Sequence, residues 1–188
     1  MIKNLVLILA LISLVACTKG FSEKEKQEYT LKGKEIAQAS FKELSSNLMT
    51  QMKAGGPAKA IPFCKEEARN ILGELSKEHN AIIKRSSDQL RSCKIEPTVR
   101  ELEVIDMYKQ LNSEKKETKP FVEIDAEGNK QFYAPIKIQA KCLTCHGKVN
   151  ETMTAKTDSI IKTIYPFDIA TGYSEGDIRG VWSITFNN

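Results

Sequence analysis

Apolar residues recur at helical spacing in the first half of the chain. Steps of three and four separate Ala37, Phe41, Leu44, Leu48 and Met52. This spacing predicts one long amphipathic helix over residues 22–53, which the sequence AGGP at residues 54–57 ends. A second helix is expected over residues 61–78, with Pro62 in its first turn, where a missing N–H does no harm.

A third helix is expected to begin at Pro97. Its apolar face would consist of Val99, Leu102, Ile105, Tyr108 and Leu111. Between the second and third helices, the pattern predicts a short strand at residues 81–83. An irregular stretch through Arg85, Arg91 and Cys93 would follow that strand.

The second half of the chain shows the alternation that is typical of strands. Residues 121–125 and 131–136 alternate on either side of EGN at 127–129, which predicts a hairpin with a glycine in its loop. The last strand is expected at residues 181–186, whereas residues 160–164 fit either a helix end or a strand. Helices first and a small antiparallel sheet later predict an α+β domain.

The N-terminus reads as an export signal. Lys3 precedes an apolar run over residues 5–16, which is too short for a membrane-spanning helix. The sequence LVAC then resembles a bacterial lipobox, in which Cys17 is lipidated and becomes the first residue; an ordinary signal peptide is the alternative. We therefore expect a signal peptide at residues 1–16, an anchored linker and helix start at 17–31, and one domain at 32–188.

Charge narrows the choice of partners. The formal net charge is +4, and the lysines are dispersed among glutamates, which argues against a nucleic-acid-binding surface. The lipid anchor predicts attachment to a membrane on the periplasmic side. Thr18 follows Cys17 in place of the aspartate that retains many lipoproteins at the inner membrane, so the outer membrane is favoured.

The sharpest chemical signal is the sequence CLTCH at residues 142–146. The thiols of Cys142 and Cys145 can add to the two vinyl groups of one haem, while the His146 imidazole reaches the iron from the same side. With 5 cysteines and 2 histidines in 188 residues, chance yields this pattern roughly 0.001 times per chain. We therefore predict one covalent haem c with His146 as an axial ligand.

Two other kinds of site use Cys-x-x-Cys pairs. A thioredoxin-like pair needs a strand before it and a helix that starts at the first cysteine, whereas Pro135 and polar residues 139–141 precede this motif and Gly147 follows it. A zinc site needs a fourth ligand, and the chain has no second Cys-x-x-Cys or paired histidine to supply one. Haem attachment is therefore favoured over both.

Other residues are candidates to contact the haem. Arg85, Arg91 and Arg179 are candidates to bind its propionates, although a surface salt bridge is the more frequent role of arginine. His79 is better explained as a surface residue than as a second axial ligand. Methionine sulfur is a further option, and the methionines considered are Met49, Met52, Met107 and Met153.

Cys64 and Cys93 are the cysteines that neither the lipobox nor the haem motif uses. Cys64 falls on the apolar stripe of the second helix, between Ala60 and Ala68, where small side chains would let a flat group approach its sulfur. Spacing alone leaves three alternatives open, which are iron ligation, a buried structural thiol and a Cys64–Cys93 disulfide.

Four blocks of the sequence resemble a bacterial family of single-haem c-type proteins, the Tll-type haem-sensor-like family. They are GPAKAIPFC at 56–64, KRSS at 84–87, CLTCHG at 142–147 and YPFDIATGYSEGDIRG at 165–180. The resemblance implies a PAS-like fold and one haem c with His146 and Cys64 as axial ligands. Cys93 is a departure, since the family more often has an Arg-Asn-Pro segment in that region, and it raises the option that Cys93 captures Cys64.

The resemblance also implies a role, because members of that family are often joined to sensor kinases. Redox or diatomic-gas sensing is the first hypothesis, with an unidentified redox or signalling protein as partner. A small electron-transfer cytochrome c, held near membrane donors by its lipid, is the second. A peroxidase-like enzyme is least favoured, because only His79 is left to act as a distal acid/base group, and we expect no enzymatic activity.

Overall fold

Helices and one antiparallel sheet make up the part of the chain that the computed structural model describes, residues 20–92 and 96–187. The export signal, Cys17 and Cys93 lie outside those residues. The helices are α1 (Glu23–Gly55), α2 (Pro57–Glu66), α3 (Ala68–Glu78), α4 (Val99–Ser113), α5 (Leu143–His146) and α6 (Ala155–Ile164). The strands are β1 (Ala81–Ser86), β2 (Phe121–Ile124), β3 (Lys130–Lys137) and β4 (Ile178–Phe186). None of the described helices is long and apolar enough to cross a membrane.

The two long helices begin at capping boxes. The Ser22 side chain accepts the backbone N–H of Glu25, and the Glu25 carboxylate accepts the backbone N–H of Ser22, so two free donors of the first turn of α1 are satisfied. Thr98 and Glu101 make the same pair of bonds at the start of α4. These local bonds explain why both helices begin within two residues of the predicted positions.

The sheet is antiparallel throughout and has the order β1-β4-β3-β2. The predicted hairpin is β2 and β3, and the Asp125 carboxylate stabilises its turn by accepting the backbone N–H groups of Glu127 and Asn129. The last strand is central, between β1 and β3. The predicted α+β class is therefore confirmed.

Helices cover both faces of the sheet. α1 and α3 pack on one face, where the buried residues of β4 are Trp182, Ile184 and Phe186. α4 packs on the other face through Val104, Ile105 and Tyr108 against Tyr133 and Val181. A third, smaller apolar cluster lies between α2 and α6, apart from the sheet. Cys145 of the CLTCH motif packs against this cluster.

The predicted second helix is two helices. α2 begins at Pro57, four residues before the predicted start, so Pro62 lies inside it rather than in its first turn. The chain then turns at Glu67 and continues as α3. The break has a packing reason, because α2 contacts α1 and α6 while α3 lies against β1, and one straight helix cannot follow both directions.

Two further expectations were wrong in part, since Ile105, Tyr108 and Leu111 do lie at the buried face of α4 and residues 81–83 do form a strand. Arg85 is in β1, which runs three residues beyond the predicted strand because it pairs with β4 as far as Ser86. The buried face of α4 is also rotated, since Val99 is 75% exposed whereas Glu101 is buried. The Lys84 ammonium lies 2.7 Å from the Glu101 carboxylate, and this ion pair compensates the burial of a charge that a hydrophobic pattern assigns to solvent.

Gly33 lets α1 approach the sheet. A Cβ on Gly33 would collide with the ring of Phe132 on β3, so the buried face of α1 begins at this glycine and continues through Ile36, Ala37, Ser40 and Leu44. Phe41, which the spacing placed on that face, lies at its exposed edge.

Gly33→Ala should destabilise the protein by about 1–3 kcal/mol, because the added methyl displaces a fully buried aromatic ring. At roughly 2–4 °C per kcal/mol, the melting temperature should fall by several degrees. Gly73→Ala is the matched control, since Gly73 lies in α3 with no atom within 4 Å of the added Cβ. Helix propensity predicts that the control is stabilised by about 0.5–1 kcal/mol. Equal melting temperatures for the two variants would contradict the close α1–β3 contact.

Candidate functional site

The CLTCH motif forms a tight turn after β3. A 3-10 turn at Ala140–Cys142 leads directly into α5, and both Cys142 and Cys145 are free thiols. A strand does precede the motif, contrary to the argument made from Pro135. That proline is tolerated because β3 extends beyond β2 and has an unpaired edge there. α5 ends after four residues at Gly147, so the longer helix expected of a thioredoxin-like pair is absent from this described segment.

The motif is anchored by the third apolar cluster. Cys145 packs against this cluster, whose buried members are Ile61 of α2, Met153, Ile161 of α6 and Tyr165. Ile61 precedes Cys64 by three residues, which brings Cys64 to the same side of α2. Lys65 also donates a hydrogen bond of 3.1 Å to the Ile164 carbonyl. Packing against α6 therefore brings the motif and Cys64 together, although 78 residues separate Cys64 from Cys142 in the sequence.

The position of the proton on His146 follows from its partner. His146 Nδ1 lies 2.7 Å from the carbonyl oxygen of Ala170. A carbonyl only accepts, so Nδ1 must carry the hydrogen, and Nε2 keeps its lone pair. Burial, assisted by the charges of Arg91 and Arg179, lowers the pKa of His146 to about 3. The imidazole is therefore neutral near neutral pH, which is the form that ligates a metal.

Arg91 lies next to the Nδ1 side of the His146 ring. Its Nη2 donates to the carbonyl of Cys145 and, at 3.1 Å, to the carbonyl of Ala170. Nη2 also lies 3.2 Å from His146 Nδ1, but both atoms are donors, so this contact is not a hydrogen bond. Arg91 Nε is 3.2 Å from the Asp168 carboxylate, and this contact is an ion pair without a hydrogen bond from Nε.

The segment that carries Asp168 and Ala170 packs along the motif. The backbone N–H groups of Gly172 and Tyr173 donate to the carbonyls of Gly147 and His146. Phe167 and Ile169 are 78% and 59% exposed, whereas the Asp168 side chain between them is only 3% exposed. Asp168 thus turns inward toward Arg91.

Arg85 and Arg179 add positive charge to the site. Desolvation lowers the pKa of both guanidiniums, and each is also lowered by a neighbouring arginine. Arg179 lies over the Tyr173 ring and donates to Ser87. Arg85 is exposed, and its guanidinium lies close enough to Cys64 and Arg179 for their charges to act on it. Among the described residues, the Arg85 side chain donates no hydrogen bond.

Cys64 faces these charges. Burial raises the pKa of its thiol, and the guanidiniums of Arg85 and Arg91 oppose that rise. Burial also raises the pKa of the Cys145 thiol, and the nearby Cys64 raises it further. Cys64 is a free thiol here, while its pairing with Cys93 stays a prediction because Cys93 lies outside the described residues.

The other candidate ligands have different positions. Met49 and Met107 are exposed. His79 follows the last residue of α3 and lies near the first residue of β1, whereas Arg85 lies near the last residue of that strand. Met153 is buried in the same cluster as Cys145. Within residues 20–92 and 96–187, no three His, Cys, Asp or Glu side chains come together as a metal ion would need.

A cavity of about 310 Å³ borders the motif at Thr144, between the two motif cysteines. It opens between the first turns of α2 and α6 and is lined by Gly55, Pro57, Ala58, Thr144, Thr154, Lys156, Thr157 and Ile160. The motif turn therefore contributes Thr144 to the wall of this cavity.

Sequence reasoning missed the roles of Asp168 and Ala170. Both fall in the block at residues 165–180 on which the resemblance rested, but no spacing rule connects them to a motif 24 residues earlier. The one signal that could have found Asp168 is its place between Phe167 and Ile169. A charged residue between two large apolar ones in an irregular segment is a candidate for an inward-facing ion pair.

Comparison with known proteins gives two findings. The family model Tll0287-like matches residues 20–187. The fold is similar to the crystal structure of the cyanobacterial heme-protein Tll0287, with a TM-score of 0.59 and 20% sequence identity, over 81% of this chain and 92% of that one. No curated protein sequence matches the chain.

Proposed function

The chain belongs to the Tll0287-like family, and from that premise we propose that it binds one haem c, held covalently by Cys142 and Cys145. His146 would be an axial iron ligand. The observation that carries this proposal is the hydrogen bond from His146 Nδ1 to the Ala170 carbonyl, which leaves Nε2 unprotonated beside two free thiols. A metal-ligating histidine commonly donates its other ring N–H in this way.

The charges near the motif fit the rest of the cofactor. Arg85, Arg91 and Arg179 against Asp168 leave a surplus of two positive charges, which would balance the two negative charges of ionised propionates. We assign the propionate contacts chiefly to Arg85 and Arg179, because Arg91 donates to two carbonyls and faces Asp168. Arginine is suited to this role because its planar guanidinium binds carboxylates in a bidentate manner.

Cys64 is the proposed second axial ligand. Its place on α2, which packs against α6, and its nearness to Cys145 support this assignment. Burial raises the pKa of the Cys64 thiol, and the charges of Arg85 and Arg91 oppose that rise. We also propose the PAS-like variant of the α+β class, supported by an antiparallel sheet whose last strand is central and by the helices that cover it.

The proposed role is redox or diatomic-gas sensing. When bound, haem supplies a one-electron couple at its iron and, if a ligand leaves, a position for a small gas. The protein supplies a thiol at Cys64, whose anionic form binds ferric iron better than ferrous iron. Electron transfer is the alternative role, and we propose no enzymatic activity.

A reductive titration with and without carbon monoxide tests the role. A sensor should show a low-spin, six-coordinate ferric spectrum, and after reduction its Soret band should shift when carbon monoxide is added. This is expected because Cys64 would be lost from ferrous iron. A spectrum that stays six-coordinate and insensitive to the gas would favour the electron carrier. Absence of any haem spectrum would contradict the haem proposal itself.

We further propose that the chain is lipidated on Cys17 and faces the periplasm, with the outer membrane as the favoured location. The lipobox supports this. Native protein should partition with membranes after gentle lysis, and Cys17→Ala should leave it soluble or unprocessed. Cys93→Ala is the control and should not change the partitioning. Wild-type protein found wholly in the soluble fraction would contradict lipidation.

A further inference from the structure

Arg91 differs from the other two arginines of the site in what it binds. Its guanidinium donates to the carbonyls of Cys145 and Ala170, while its Nε faces the Asp168 carboxylate at 3.2 Å. Both side chains are largely buried, at 15% and 3% exposure. The Ala170 carbonyl is therefore shared, because it accepts from Arg91 at 3.1 Å and from His146 Nδ1 at 2.7 Å.

We propose that Arg91 and Asp168 form a buried charge pair that positions His146 and adjusts, in opposite directions, the reduction potential of the iron it ligates. This inference rests on the proposed function. Both residues act through the Ala170 carbonyl and the His146 ring, so they are positioning residues. Asp168 also accepts the backbone N–H of Ala170 at 3.2 Å, which holds the shared carbonyl in place.

The sign of the Arg91 effect follows from the shared acceptor. A strong hydrogen bond from Nδ1–H makes an imidazole a better electron donor and so stabilises the ferric form. Arg91 competes for the same oxygen and withdraws electron density from it, which weakens that hydrogen bond. Its positive charge near the ring also disfavours the more positive iron state. Both effects raise the potential, so removal of Arg91 should lower it.

The sign of the Asp168 effect is the reverse. Its carboxylate partly neutralises Arg91, so a neutral amide in its place leaves the guanidinium charge uncompensated. Asp168→Asn keeps an oxygen that can accept the Ala170 N–H, and the segment should therefore retain its shape. The potential of this variant should rise.

The experiment measures the midpoint potential and the ferric electron paramagnetic resonance spectrum of the full-length holoprotein in four forms. These are wild type, Arg91→Gln, Asp168→Asn and Arg100→Gln. Arg100 pairs with Glu123 on the far side of the sheet from α1, and its substitution is the matched control for loss of a paired arginine. The expected result is a lower potential for Arg91→Gln, a higher one for Asp168→Asn and no change for Arg100→Gln, with the ferric spectrum low-spin in all four.

Shifts of the same sign in both site variants, or no shift in either, would overturn the inference, because a merely structural pair disturbs the ligand alike from both sides. If Arg91→Gln does not fold, Asp168→Asn and Arg91→Lys decide. Asp168→Asn must then still raise the potential, and Arg91→Lys, which keeps the positive charge, must leave it close to the wild-type value. A fall or no change in Asp168→Asn refutes the pair. Wild-type protein without haem would instead refute the proposed function, so the two failures are distinguishable.

Discussion

Replacing both Cys142 and Cys145 by Ala should abolish covalent haem. The wild-type chain should keep its haem through denaturation and extraction with acidified acetone, because thioether bonds survive both treatments. The double variant has no sulfur in the motif, so any haem held only by axial ligation through His146 and Cys64 should be extracted completely. Haem staining after denaturing electrophoresis measures the difference, with an expected change from full to background staining.

The single variants sharpen this prediction. Cys142→Ala and Cys145→Ala should each keep one thioether bond and therefore stay stained, with an absorption maximum shifted by the one unreacted vinyl group. Cys64→Ala is the matched control, since it removes a thiol from the same site but outside the motif, and it should stain like wild type. Complete extraction of haem from the wild-type chain would contradict covalent attachment. Stoichiometric zinc in the purified protein would favour the metal-site alternative.

The elements that could be predicted from sequence are those with local causes. The hairpin follows from alternation and from the Asp125 turn, and the starts of α1 and α4 follow from side chains three residues apart. The motif is also local, because its chemistry requires neighbours in sequence. These features need no knowledge of tertiary contacts.

What could not be predicted depends on contacts between distant residues. Glu101 is buried because Lys84, 17 residues away, neutralises it, and this rotates α4 from the face that hydrophobicity predicts. Arg91 donates hydrogen bonds to Ala170, 79 residues away in the sequence, and to Cys145, 54 residues away. No periodicity in the sequence indicates these two contacts. The break between α2 and α3 likewise follows from two separate packing surfaces. Contacts between segments that are remote in the sequence thus explain the wrong predictions for α4 and for the second helix, and the missed role of Arg91.

Cys64→Ala should convert the ferric spectrum from low-spin to high-spin, because the proposed sixth ligand is removed and alanine cannot replace it. The potential should also rise, on the order of 100 mV or more, since a negative sulfur ligand stabilises Fe(III) and axial ligands shift haem potentials over about 0.8 V. Electron paramagnetic resonance and a redox titration measure the two effects. For a one-electron couple, 59 mV corresponds to a tenfold change in the equilibrium constant for reduction. A rise of about 100 mV therefore changes that constant more than tenfold, which a redox titration can measure.

Cys93→Ala is the control that separates ligation from a disulfide. If Cys64 binds iron, Cys93→Ala should change neither the ferric spectrum nor the potential. The oxidised wild-type protein should then contain one free thiol, that of Cys93. If the two cysteines instead pair, both variants should be low-spin like wild type and each should release one new free thiol. An unchanged ferric spectrum in Cys64→Ala would show that another residue is the sixth ligand. Met153 would then be the first to replace, because it is the methionine in the cluster that holds Cys145.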